Sequence, residues 1–167
     1  MPETPRPALT RVAVLIPTYN EAENLAGVVE RVRSVTPEVD VVVLDDNSPD
    51  GTGEIADRLA AADAQVHVLH RPGKAGLGAA YLDGFQWAID RGYDAVVEMD
   101  ADGSHQPEHL PAMLAAAADA DLVIGSRWVR GGAIENCPLH RKAPSAGGSV
   151  YTKALLDIRY LPAAELL

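Results

Sequence analysis

Between residues 11 and 125, short apolar runs alternate with segments of helical periodicity, and this alternation restricts the fold more than any other feature of the chain. RVAVLI (11–16), VDVVVL (39–44), VHVL (66–69), YDAVVEM (93–99) and DLVIG (121–125) are too short for helices and read as five strands. VDVVVL is close to continuously apolar, as expected of a strand covered on both faces in a parallel sheet. Between the first two runs, NEAENLAGVVERVRSV (20–35) places Leu25, Val28, Val29 and Val32 on one helical face, and Asn20 followed by Glu23 has the form of an N-terminal capping box. Residues 53–62, 76–91 and 107–118 read as further helices, with Leu77, Ala80, Tyr81, Phe85 and Ala88 sharing one side of the second. A last helix is expected near 140–157. Strand and helix in regular alternation predict an α/β domain whose mainly parallel sheet is flanked by helices.

The 167 residues suffice for one such domain with a sizeable core. The proline-rich first ten residues read as a loose tail, leaving 11–167 for the domain. The opening MPETPRPALTRV has no apolar signal core, and no apolar run approaches the ~18 residues of a membrane span. Cys137 is the sole cysteine, so no internal disulfide can form and a reducing, cytoplasmic setting is expected. A net charge of −10 argues against nucleic acid as a partner. The exception to this acidity is late in the chain, where Arg127, Arg130, His140, Arg141 and Lys142 cluster.

In parallel sheets of this type, ligands bind beyond the carboxyl ends of the strands. Five polar or glycine-rich segments follow the five predicted strands in order: PTYNE (17–21), DDNSPDGTGE (45–54), RPGKAGLG (71–78), DADGSHQP (100–107) and GSRW (125–128). Asp100 and Asp102 offer hard oxygen ligands suited to Mg2+ or Mn2+, and a divalent cation would relieve the repulsion between them. A nucleotide diphosphate would complete the coordination. The competing structural explanation is that Asp102 and Ser104 cap the helix beginning near Pro107. DDNSPDG begins like a calcium loop, but the twelfth position is Asp57 rather than Glu and the segment follows a strand. A turn in which Asp45 accepts hydrogen bonds from a base or ribose fits better. GKAGLG is neither a P-loop nor a dinucleotide fingerprint, although Lys74 could meet a phosphate at the helix start that follows it. No His/Cys pair has zinc spacing, no GxSxG elbow occurs, and His67, His70 and His109 read as surface or packing residues.

The ordered set PTYNE, DDNSPDGT, GKAGLGAAY, MDADGSH and GSRW closely resembles the dolichyl- or polyprenyl-phosphate mannose synthases of glycosyltransferase family 2, over about Val12 to Tyr151. The resemblance implies a GT-A type, Rossmann-like nucleotide-sugar domain. It implies inverting transfer of mannose from GDP-mannose to a polyprenyl (dolichyl) monophosphate in a membrane, with peripheral contact at the cytoplasmic face. Carried over by motif, Pro17, Tyr19, Glu21, Val43 and Asp45 would contact the guanosine. Asp100, Ala101 and Asp102 would hold the diphosphate and its Mg2+ or Mn2+, with both aspartates as metal ligands and Lys74 as a further donor contact. Arg127 would bind phosphate at the reaction centre, making it and Asp102 the catalytic pair, and Arg141 would take the acceptor phosphate.

This chemistry suits the residues. A phosphate monoester with a second pKa of about 6 is largely dianionic at pH 7, so it can attack the sugar carbon without a general base. The chain departs from the family after Tyr151, where KALLDIRYLPAAELL replaces the later arginine- and lysine-bearing motifs, so the domain is expected to be C-terminally incomplete. Two alternatives stay open: the same chemistry with UDP-glucose, or a catalytically weak or inactive remnant that binds nucleotide-sugar.

Overall fold

The computed structural model describes residues 9–125. Its elements run β1 (Val12–Thr18), α1 (Leu25–Val35), β2 (Asp40–Asp45), α2 (Thr52–Ala62), β3 (Val66–His70), α3 (Leu77–Asp90), β4 (Ala95–Glu98), a 3-10 turn (Pro107–His109) and α4 (Leu110–Ala116). The chain divides into two compact units, Met1–Pro111 and Ala112–Leu167, and the sheet with α1, α2 and α3 belongs to the first.

The four strands pair in parallel in the order β3-β2-β1-β4. From β1 the chain steps outward to β2 and β3, then returns past β1 to β4 on its other edge. Right-handed crossovers therefore put α1 and α2 on one face of the sheet and α3 on the other. The direction of stepping reverses at β1, so the topological switch point lies between β1 and β4. There the two strands part: their pairing ends at Leu15 with Glu98, while β1 continues beside β2 as far as Thr18 with Asp45.

Burial follows from period-two alternation. Ala13, Leu15, Val42 and Leu44 pack against Ala80 and Tyr81 of α3, with Phe85, Trp87, Tyr93 and Val96 around them. Val14, Ile16, Val41 and Val43 are fully buried on the opposite face. The approach of α3 depends on Gly84, because a Cβ there would lie 2.9 Å from methyl carbons of both Leu15 and Leu44. Among the described residues, no helix is long and apolar enough to cross a membrane.

Three sequence expectations are corrected. Residues 121–125 form no strand, and Leu122 and Ile124 are 69% and 47% exposed; so short an apolar run carries no periodicity that separates a strand from a loop. Asn20 does not cap α1: it has a φ of 62°, and the helix starts at Leu25 behind Asn24. The cause is long-range, because the N–H groups of Asn20, Glu21 and Ala22 donate to Ser48, Thr52 and Asp50 in the β2–α2 loop instead. Leu77, expected on the buried side of α3, is 54% exposed at its first turn. The predicted helix at 140–157 lies outside the described residues.

Of the predicted tail, residues 9 and 10 are described, and Thr10 donates from its backbone and hydroxyl to Asp94 at 2.9 and 2.8 Å.

Candidate nucleotide-sugar and metal site

The loops after β1, β2, β3 and β4 all emerge at the carboxyl edge of the sheet. Pro17 lies beyond the last β1–β4 pair, so its missing N–H costs no ladder bond on that side. Tyr19 follows, 37% exposed, with the Lys74 ammonium over its ring at 4.1 Å from the centroid. The sequence nominated both residues for the donor; the fold brings one from the β1 loop and the other from the β3–α3 loop into contact.

Asp45 ends β2 and is 2% exposed. Its Oδ1 accepts from the Ser48 hydroxyl at 2.6 Å and the Thr18 hydroxyl at 3.3 Å, and its Oδ2 accepts from the Ser48 N–H at 3.3 Å. The His70 ring stands 3.8 Å from Oδ2, and Gly53 lets them meet, since a Cβ there would lie 3.0 Å from Oδ2. Asp50 takes the N–H and hydroxyl of Thr52 at 3.1 and 2.6 Å; the hydroxyl bond above all holds its carboxyl below the usual range. Glu21 accepts from the Asn24 side chain at 2.8 Å. Val43 is fully buried in mid-strand between Ile16 and Val68 and presents no surface at this edge.

Buried Arg71 pairs with Asp46 and, at 2.7 Å, with Asp83 of α3, while its N–H donates to the Asp45 carbonyl at 2.8 Å. The residues that looked like a calcium loop are thus engaged otherwise: Asp46 by Arg71, Ser48 by Asp45, and Asp50 by Thr52 and Ala22.

Past β4 the paired aspartates flank Ala101, which is 3% exposed. Asp102 accepts from the Ser104 N–H at 2.8 Å, and bonding from Ser104 holds its carboxyl below the usual range. Neither Asp102 nor Ser104 caps the helix that follows, since its cap residue is Gln106 with no side-chain cap bond. The Tyr81 hydroxyl donates to Asp100 at 3.5 Å; burial, then the charges of Asp100 and Glu98, push that phenol's pKa up and keep it protonated. Asp100 is half-buried and Asp102 exposed. Two carboxylates with free lone pairs at the switch point fit the donor set of Mg2+ or Mn2+. Among the described residues no group of three or more His, Cys, Asp or Glu could hold a metal.

Sequence reasoning passed over Arg71, Tyr81 and His105 as site components. Arg71 and Tyr81 act across distances in sequence that local pattern does not report. His105, five residues after Asp100, was within local reach: its Nδ1 accepts the Asp100 N–H at 3.0 Å. Arg127 and Arg141 lie outside the described residues.

With this geometry in place, known proteins offer a comparison. The family model described as Glycosyl transferase family 2 matches residues 13–163. Undecaprenyl-phosphate mannosyltransferase of Micrococcus luteus is 57% identical over 148 residues, covering 89% of this chain and 61% of that protein. Polyprenol monophosphomannose synthase of Mycolicibacterium smegmatis is 55% identical over 159 residues, covering 94% of this chain and 60% of that protein. Dolichol-phosphate mannosyltransferase of Pyrococcus furiosus is 41% identical over 156 residues, covering 89% and 43%. The chain therefore spans less than two thirds of the length of each of these relatives. Among solved structures, the mannosyltransferase PcManGT from Pyrobaculum calidifontis, in complex with GDP-Man and Mn2+, matches with a TM-score of 0.54 at 24% identity, covering 68% of this chain and 33% of that one. Mannosyl-3-phosphoglycerate synthase from Rubrobacter xylanophilus matches with a TM-score of 0.53 at 20% identity, covering 68% and 38%. At these identities the structural likeness bears on the fold alone, which is of the GT-A type.

Proposed function

The chain belongs to glycosyl transferase family 2, and from that premise we propose that it moves mannose from GDP-mannose to a polyprenyl monophosphate, with inversion at the anomeric carbon. The observation that carries the reading is the 57% identity to a relative named as an undecaprenyl-phosphate mannosyltransferase, across 89% of this chain. The paired aspartates at the switch point support it.

In this reading Tyr19, Lys74 and Asp45 receive the nucleotide end of the donor at the β1, β3 and β2 loops. Asp45 arrives pre-oriented by Ser48 and Thr18, so little freedom is lost on binding. Asp100 and Asp102 would hold Mg2+ or Mn2+, which would supply positive charge to offset that building on the departing GDP. The acceptor's phosphate oxygen forms a bond to the anomeric carbon as the bond from that carbon to the GDP β-phosphate oxygen breaks. The nucleophile is already an anion, so no side chain has to remove a proton. An acidic chain with a net charge of −10 must gather these anions locally, through the metal, Lys74 and the later basic residues Arg127 and Arg141.

The test is transfer of labelled mannose from GDP-mannose to a short polyprenyl monophosphate by the purified chain with Mn2+. Formation of the β-linked lipid product is expected. Donor binding without product would contradict the catalytic reading and leave a nucleotide-sugar-binding domain; equal transfer of glucose from UDP-glucose would contradict the donor assignment.

A further inference from the structure

We infer that His105 is a positioning residue that closes the loop bearing Asp100 and Asp102, acting through Nδ1 rather than as a metal ligand. The inference rests on the metal-binding part of the functional reading.

The β1–β4 ladder ends where the Met99 N–H donates to the Leu15 carbonyl at 3.1 Å. Asp100 carries the next backbone N–H, which lies beyond the last β1–β4 pair and, by the alternation of an extended chain, faces away from β1. That N–H is satisfied by His105 at 3.0 Å, which folds residues 100–105 into a closed loop. Gly103, with a φ of 76°, makes the reversal, and Asp102 fastens its interior by taking the Ser104 N–H at 2.8 Å. Both carboxylates therefore project from a loop with His105 as its clasp. A neutral ring that accepts at Nδ1 carries its hydrogen on Nε2, 3.9 Å from Asp100 Oδ2. In this arrangement neither ring nitrogen offers a free lone pair to a cation.

The two ring positions can be tested separately. The carboxamide oxygen of His105→Asn sits close to where Nδ1 was and can still accept from Asp100. His105→Gln places its polar atoms near the former Nε2. The measurement is the Mn2+ dissociation constant in the presence of GDP, by titration calorimetry, with the metal-free unfolding midpoint taken for each variant. His105→Asn is expected to keep Mn2+ affinity within about threefold, while His105→Gln loses about 10–100-fold, the range for residues that orient metal ligands. Both should unfold near wild type without metal, because the clasp lies on an exposed loop.

Retained affinity in His105→Gln with loss in His105→Asn would overturn the inference and make Nε2 the working atom. Equal behaviour of the two variants, whether retained or lost, would overturn it as well. A collapsed metal-free transition would also contradict it, because the side chain would then be serving the core. Wild-type protein that binds no Mn2+ would instead sink the functional reading on which the inference stands.

Discussion

Arg71 shows what a single residue does here. Its guanidinium is buried between Asp46, which follows β2, and Asp83 on α3. Arg71→Ala leaves the Asp46 carboxylate buried without its counter-ion, a change that costs about 3–5 kcal/mol. Urea unfolding at pH 7 measures it; a loss below about 1 kcal/mol would mean that water replaces the guanidinium. Asp63 is a half-buried counterpart. Bonds from the Arg33 side chain, then from the Gln65 N–H, hold its carboxyl below the usual range. A carboxylate with a depressed folded pKa adds stability above its unfolded value, about 3.9, and loses it as pH falls through the folded value. Wild type should therefore be more stable than Asp63→Asn at pH 7, with the gap closing toward pH 2. A gap independent of pH would refute the ionic origin.

At the scale of elements, the sheet and helices were readable because each rests on a local period. The run at 39–44 became β2 shifted by one residue, and the run at 66–69 became β3 with one residue added at its end. The start of α1 was not readable. Asn20 through Ala22 are held by Ser48, Asp50 and Thr52, some 28 to 31 residues away, and no local capping pattern reports a partner so distant. The site divides in the same way. Its loops were placed by the strands before them, whereas the Lys74–Tyr19 contact and the Arg71 bridge exist only once β1, β2 and β3 are adjacent. The α3–sheet contact gives an element-scale prediction. Gly84→Val inserts carbon where a single Cβ already meets Leu15 and Leu44 at 2.9 Å, and both leucines are fully buried. Overpacking of this kind costs about 1–3 kcal/mol, read as a lower thermal midpoint; an unchanged midpoint would show that α3 can lift off the sheet.

For the molecule as a whole, topology and chemistry agree. The reversal in strand order puts the switch point between β1 and β4, and Asp100 and Asp102 follow directly on β4. The central claim is that these carboxylates hold a divalent cation against the diphosphate of GDP-mannose. Its most direct test is the thermal unfolding midpoint of wild type and Asp102→Ala with GDP-mannose, with UDP-glucose and with no nucleotide, each with and without Mn2+. At ligand near 100 times its dissociation constant, stabilisation of about 2.7 kcal/mol raises the midpoint by roughly 5–10 °C. The account predicts that rise for wild type with GDP-mannose and Mn2+ together, and none for Asp102→Ala. A rise that persists in Asp102→Ala, or that needs no metal, would contradict it.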